Sequence, residues 1–193
     1  MDIHHTKSAP LIIGISGASG IIHAIRLLEI LKNIPDIPVA LIVSKAAERT
    51  LRYETDYTLD ALRALADECY PIKDIGAKIA SGSYKTRGMI IAPCSVKTMS
   101  ELAYGMNDNL ITRAADVCLK ERRTVVVGIR ETPFHTGHLR TMTQLSEIGA
   151  IIAPPLPAFY LGEQTVTEMV DQICMRWLSL MGIDVPDQKV WHG

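Results

Sequence analysis

Apolar residues along this chain fall into two kinds of stretch that alternate from one end to the other. Short unbroken runs at Leu11-Ile12-Ile13, Val39–Val43, Gly88–Ala92, Thr124–Gly128 and Ala150-Ile151-Ile152 have the length and β-branching of strands buried on both faces. Between them the apolar positions recur at helical spacing. The first such segment carries Ile21, Ile22, Ile25, Leu27, Leu28 and Leu31. Further helices are predicted at Lys45–Tyr53 behind Ser44, Leu59–Ala66 behind Thr58, Ser95–Ala103, Asn109–Glu121, His135–Ile148 and Val166–Met181. Gly149 and Gly182 stand where the last two should end. Only Pro71–Arg87 breaks the alternation; with few large apolar residues and several turn formers, it predicts an irregular, functional loop. The pattern as a whole predicts an α/β fold, a parallel sheet covered by helices on both faces.

Ligands of such sheets bind beyond the carboxyl ends of the strands, which brings five loops to one rim. They are Gly14–Gly20, Ser44 onward, Pro93–Thr98, Arg130–Pro133 and Pro154–Tyr160. The first, within LIIGISGASG, feeds a strand into a helix through Gly14, Gly17 and Gly20. That geometry gathers backbone N–H groups and the positive end of a helix dipole, so it is suited to an anion, with Ser16 and Ser19 adding hydroxyl groups. Its spacing is G-x-x-G-x-x-G, not the dinucleotide G-x-G-x-x-G, and Val43-Ser44-Lys45 offers no acid for a ribose. A mononucleotide phosphate therefore suits it better than NAD; a tight turn of purely structural use is the plain alternative.

The second turn, Pro93-Cys94-Ser95-Val96-Lys97-Thr98, places two hydroxyls and a lysine at a helix start. Such a turn holds an anion or the polar edge of a ring, or simply caps its helix through Ser95. Cys94 has no histidine near it in sequence and reads as a packed, inert thiol. Arg130 and Glu131 follow a strand directly and so sit at the rim, whereas Lys120–Arg123 reads mostly as a solvated helix end. His135 and His138 form H-x-x-H without acidic or cysteine partners at matching spacing, so no metal is expected. No Asp-Asp pair is present to hold Mg²⁺ on a diphosphate, which leaves Lys and Arg to bind any phosphate. After Pro154-Pro155-Leu156-Pro157 come Phe159, explained by packing, and Tyr160, whose hydroxyl is suited to a phosphate together with Arg176.

Composition narrows the setting. The chain has 193 residues, 48% hydrophobic and 21% charged, which fits one globular domain with a full core. A net charge of −1 gives no reason to expect nucleic acid or an anionic membrane surface as partner. Cys69, Cys94, Cys118 and Cys174 are scattered without a C-x-x-C pair, as in a reducing cytoplasm. Met1–Pro10 is polar and lacks the apolar stretch of a signal peptide, and no apolar run approaches the ~20 residues of a membrane span. A soluble cytoplasmic protein is expected, with residues 11–184 as its domain and 1–10 and 185–193 as tails.

The motifs GISGASG, LIVSKAAE, SGSYKTRGMIIAPCSVKT, DNLITRAADVCLKERR, RETPFHTGHLR and GAIIAPPLPAFY together resemble those of the flavin prenyltransferases, the UbiX type within the homo-oligomeric flavin-containing decarboxylase superfamily. The resemblance spans roughly residues 11–184. It implies a Rossmann-like, doubly wound three-layer subunit that binds FMN at subunit interfaces and assembles as trimers stacked into dodecamers. The implied reaction transfers a dimethylallyl group from dimethylallyl phosphate to reduced FMN at N5 and C6, without metal. The prenylated flavin then serves a partner decarboxylase of the UbiD type. By the same resemblance FMN contacts Gly17, Ala18, Ser19, Ser44, Ser95, Val96, Lys97, Thr98 and Arg130. Lys120, Arg130, Tyr160 and Arg176 hold the prenyl phosphate, and Ser19, Glu54 and Glu131 handle protons and stabilise the cation.

The chain departs from the family pattern at His23, where relatives often carry tyrosine, at the bulkier Ile21 and Ile22, and at Val96 in place of a frequent methionine. The Pro71–Arg87 loop has no tryptophan, and Tyr84 is the only aromatic in its SGSYKT part. Two other functions compete. An FMN-dependent cysteine decarboxylase of the same superfamily would resemble P-A-S-A-N-T and P-x-M-N-x-x-M-W, where this chain reads PCSVKT and PPLPAFY. A non-catalytic flavin-binding accessory subunit would not need Ser19, Glu131, Lys120, Tyr160 and Arg176, all of which are present.

Overall fold

The computed structural model describes residues 8–162 and 164–186, so most of both expected tails, 1–7 and 187–193, lies outside the described residues. Six strands form one parallel sheet: β1 (Leu11–Ile15), β2 (Val39–Val43), β3 (Glu68–Tyr70), β4 (Gly88–Cys94), β5 (Val125–Ile129) and β6 (Ile151–Ile152). Their order is β3-β2-β1-β4-β5-β6. The chain thus moves outward from β1 to one edge and then from β4 to the other. The switch between β1 and β4 opens a crevice at the carboxyl ends of the two central strands.

Alternate side chains of the strands feed two cores. Leu11, Ile13 and Ile15 of β1 pack with α1 (Ile22–Lys32), α2 (Lys45–Glu54), α3 (Leu59–Arg63) and α7 (Val166–Leu180). Ile12 and the opposite faces of the other strands pack with α4 (Val96–Ala103), α5 (Leu110–Lys120) and α6 (Thr136–Glu147). Period-two strands that are apolar on both sides can only sit between two helical layers, which is why they read as unbroken runs. The Arg26 guanidinium fixes the mutual placement of α1 and α7 by donating to both oxygens of Asp171, at 2.7 and 2.8 Å. No helix of the described residues is long and apolar enough to cross a membrane.

Five strands were expected and six are present among the described residues. The extra one, β3, is three residues of Glu-Cys-Tyr at the sheet edge, too polar and too short to stand out in the hydrophobic pattern. β4 also runs past its expected end at Ala92. Ile91 pairs with Val127 and Cys94 with Ile129, so three steps on β4 oppose two on β5. This bulge turns Cys94 into the α4–α5 core and delivers Ser95 to the rim. The helix behind Thr58 stops at Arg63 rather than Ala66, its last turn continuing only as isolated turn bonds.

The Pro71–Arg87 segment is irregular as expected, with one 3₁₀ turn at Lys78–Ala80, but it is anchored. Ile79 and Ala80 are buried beside α5, and the Arg123 guanidinium donates to the carbonyls of Gly82 and Tyr84 at 2.7 and 2.8 Å. The Ile72 carbonyl accepts from Leu110 N–H at the start of α5. It is a strap from the carboxyl end of β3 to the amino end of β4.

Candidate functional site

The two glycine- and serine-rich turns at the crevice are joined by one side chain. Ser16, buried at the end of β1, donates its hydroxyl to the Pro93 carbonyl at 3.0 Å and accepts from Ser95 N–H at 2.7 Å. Its hydroxyl is therefore consumed inside the fold and is not available to an anion, contrary to expectation. Gly17 follows because nothing larger fits: a Cβ there would lie 2.2 Å from the Cβ of Ala46 in α2. That contact draws the first turn against the start of α2, where Ser44 caps the helix by accepting from Ala47 N–H at 3.1 Å. Ala18 lies buried in the same turn.

The anion predicted at the start of α1 is supplied by the protein itself. Glu54, the last residue of α2, accepts from the N–H groups of Gly20 at 2.8 Å and Ile21 at 3.1 Å. Partial desolvation raises the Glu54 pKa, but the Ser19 hydroxyl, these two N–H groups and the field of Arg130 outweigh it and hold the carboxyl below its ordinary range. Ser19, Glu54 and Arg130 are thus brought together from the first turn, the end of α2 and the end of β5. The Arg130 backbone is pinned to the rim by its N–H on the Cys94 carbonyl, 3.0 Å away.

At the second turn Ser95 caps α4, accepting from Thr98 N–H at 3.3 Å and donating to the Thr98 hydroxyl at 3.2 Å. The plain reading, a helix cap, is what the structure shows; with no acidic residue in its first turn the capped helix start still presents a positive dipole end. Val96 and Lys97 open this helix; the Lys97 ammonium pairs with Glu101, a buried carboxylate one turn on that the sequence did not single out. Cys94 is fully buried in the core beneath α4 and α5, and burial pushes its thiol above the ordinary range.

Glu131 follows Arg130 and caps its own loop, accepting from Thr132 N–H at 2.9 Å. Tyr160 and Arg176 meet in one cleft of about 450 Å³ past the end of β6, walled by Ala153, Pro154, Ile173 and Trp177. The Trp177 indole donates to the Ala153 carbonyl at 3.0 Å and lies under Gly128, where a Cβ would come within 2.8 Å of it. The pattern could not foretell this tryptophan's part in the cleft, since its position in α7 reads only as core.

Lys120 is placed elsewhere. It ends α5 beside Gly82, close to the amino end of β5, and pairs with Glu121 at 2.5 Å. Arg130 lies just past the carboxyl end of that strand, so the strand's length of roughly 13–17 Å separates the two levels. Within one chain they do not share a site. His135 uses Nδ1 to cap α6, accepting from Gly137 N–H at 3.0 Å, and stacks on His138 at 3.6 Å between ring centroids. Among the described residues no group of three or more His, Cys, Asp or Glu side chains is placed to hold a metal.

Comparison with known proteins decides the family. The flavoprotein family model matches residues 3–178. The Flavin prenyltransferase UbiX of Escherichia coli (strain K12) is 50% identical over 185 residues, covering 95% of this chain and 98% of that one. The chain belongs to the flavin prenyltransferase family. A crystal structure of AnUbiX (PadA1) in complex with FMN and dimethylallyl pyrophosphate superposes with a TM-score of 0.93 at 41% identity, covering 96% of this chain and 98% of that one. A dodecameric FMN-dependent Ubix-like decarboxylase from Escherichia coli O157:H7 gives 0.92 at 41% identity, with 95% and 100% covered. The Rossmann-like order of strands is thus the flavin prenyltransferase order.

Proposed function

We propose that this chain joins the dimethylallyl group of dimethylallyl phosphate to reduced FMN, at N5 and C6, and releases prenylated FMN for a partner decarboxylase of the UbiD type. The observation that carries the reading is the Glu54 carboxylate, held on the start of α1 by Ser19, Gly20 and Ile21 within the field of Arg130. A fixed, solvent-facing anion in that position is built for proton or cation handling, not for core stability. The four unpaired cysteines suit a reducing cytoplasm, and residues 11–184 act as one flavoprotein domain.

The residues present fit FMN. With the start of α1 taken by Glu54, the flavin phosphate draws on the helix starts capped by Ser44 and Ser95, with Lys97 and Thr98 beside the second. Gly17 and Ala18 would give the flavin close approach to backbone, and Val96 and Arg130 would hold it beside them. When bound, reduced FMN supplies the nucleophilic nitrogen and carbon. Around it, Arg130, Tyr160 and Arg176 neutralise the departing phosphate, whose charge grows as the allylic C–O bond breaks. Ser19 and Glu54 orient and stabilise the allyl cation side, and Glu131 takes the proton released at ring closure.

Lys120 serves the same phosphate from a neighbouring subunit. Its place at the far end of α5 is what a site completed between copies requires, and a dodecameric structure is known for a relative at 41% identity. Incubating the protein anaerobically with reduced FMN and dimethylallyl phosphate tests the whole reading. The flavin gains a C5 unit by mass spectrometry, and Glu131→Gln binds FMN but leaves its mass unchanged. An unchanged flavin mass with the unaltered protein would show a flavin-binding accessory subunit instead.

A further inference from the structure

The Gly20–Ile21 peptide is gripped at both ends. Its N–H, on Ile21, donates to Glu54 Oε2 at 3.1 Å. Its carbonyl, on Gly20, accepts from the backbone N–H of His23 at 3.1 Å and from the same residue's ring Nδ1 at 2.9 Å. A carbonyl oxygen only accepts, so Nδ1 carries a proton, and whenever the ring is neutral Nε2 is a bare acceptor. The ring is held where it is from both sides. A Cβ on Gly20, whose φ is +94°, would lie 3.1 Å from Nδ1, and the Trp177 ring of α7 is tilted against the imidazole with centroids 5.6 Å apart. The Cys174 thiol donates to the His23 carbonyl at 3.3 Å, tying that turn of α1 to α7.

We propose that His23 is a positioning residue for Glu54, acting through one peptide unit: its Nδ1–H holds and polarises the Gly20 carbonyl, which aims and strengthens the Ile21 N–H on the Glu54 carboxylate. Hydrogen bonds in series polarise one another, so two donors on a carbonyl make the N–H of the same peptide a better donor. The charged groups that face this unit are Glu54 from the end of α2 and Arg130 from the end of β5; α7 brings only Trp177 and the Cys174 thiol against the ring. Burial lowers the His23 pKa, the Gly20 bond and Glu54 oppose this, and Arg130 adds to it; the net is a shift down from the ordinary value. A neutral ring leaves Arg130 as the cation facing Glu54. For catalysis, the proposal rests on the reading that Glu54 takes part in prenyl transfer.

The test separates the two. In protein labelled with ¹³C at glutamate carboxyl carbons, the Glu54 resonance is the one lost in Glu54→Gln, and its titration is followed in His23→Leu and His23→Asn without flavin. Leucine removes the donor, and the Glu54 midpoint moves up by roughly half a pH unit. Asparagine, whose amide reaches the place of Nδ1, restores the original midpoint. A role in packing alone would lower the unfolding temperature of both variants and leave the Glu54 midpoint in place, which would overturn the proposal. So would a midpoint raised equally by Asn and Leu. If Glu54→Gln prenylates FMN at the unaltered rate, the functional reading of Glu54 fails while the titration result stands.

Discussion

The two turns at the crevice are built alike and used differently. Each leads a buried central strand into a helix through small and hydroxyl-bearing residues, and Ser16 stitches one to the other. At the first, the helix start is occupied by Glu54, a carboxylate of the chain itself, delivered by the end of α2. At the second, Ser95 caps the helix, no acid enters its first turn, and Lys97 and Thr98 stand beside it. One helix start already holds an anion; the other holds only a neutral cap and keeps its N–H groups and dipole end open. The difference lies in a residue 34 positions along the chain from Gly20, not in either turn.

The comparison breaks most sharply at Glu54. Glu54→Gln keeps the hydrogen-bond acceptor but loses the charge, and prenyl transfer falls by about 10²–10⁴-fold while FMN affinity changes little, measured by flavin mass against time and by flavin titration. Comparable loss from Ser95→Ala would mean that the turns are not specialised. Ser16→Ala comes next. It leaves the Ser95 N–H without its acceptor in a buried seam and lowers stability by about 1–3 kcal/mol in denaturant unfolding, with both turns loosened together. Ser95→Ala removes only a cap and costs about 1 kcal/mol, with weaker FMN binding. The smallest effect is on acid stability. Because the Glu54 carboxyl is held below its ordinary range in the folded chain, the stability it contributes is present above that range and is lost as pH falls from there through the lowered folded value. The unaltered protein therefore falls toward the unfolding midpoint of Glu54→Gln on acidification, a convergence read from thermal melts over a pH series.

Much of this was legible in the sequence because strands such as Val39–Val43 are apolar on both faces and helices such as α5 carry a cap and a periodic face. β3 was not, because Glu-Cys-Tyr at an edge needs no apolar pattern when only one neighbour pairs with it. The site was half legible. Gly17, Ser44 and Ser95 announce themselves by residue type at strand ends, and Cys94 could be set aside correctly. What the linear pattern hides is where each hydroxyl is spent, Ser16 on the second turn and Ser19 on Glu54, and which carboxylate reaches a turn from another helix. Lys120's distance from Arg130, by contrast, follows from the strand that the apolar pattern already places between them.

Trp177 turns the architecture into an instrument. Its indole lies under Gly128, beside His23, and walls the cleft of Tyr160 and Arg176, so its ultraviolet emission reports on all three surroundings. The sequence holds one other tryptophan, Trp191, and Trp191→Phe leaves a single emitter. In that background, quenching of the indole by arriving flavin and any further change on adding the allylic phosphate would be separate optical signals. The order in which the two molecules enter could then be timed in a stopped-flow cell, with no label added.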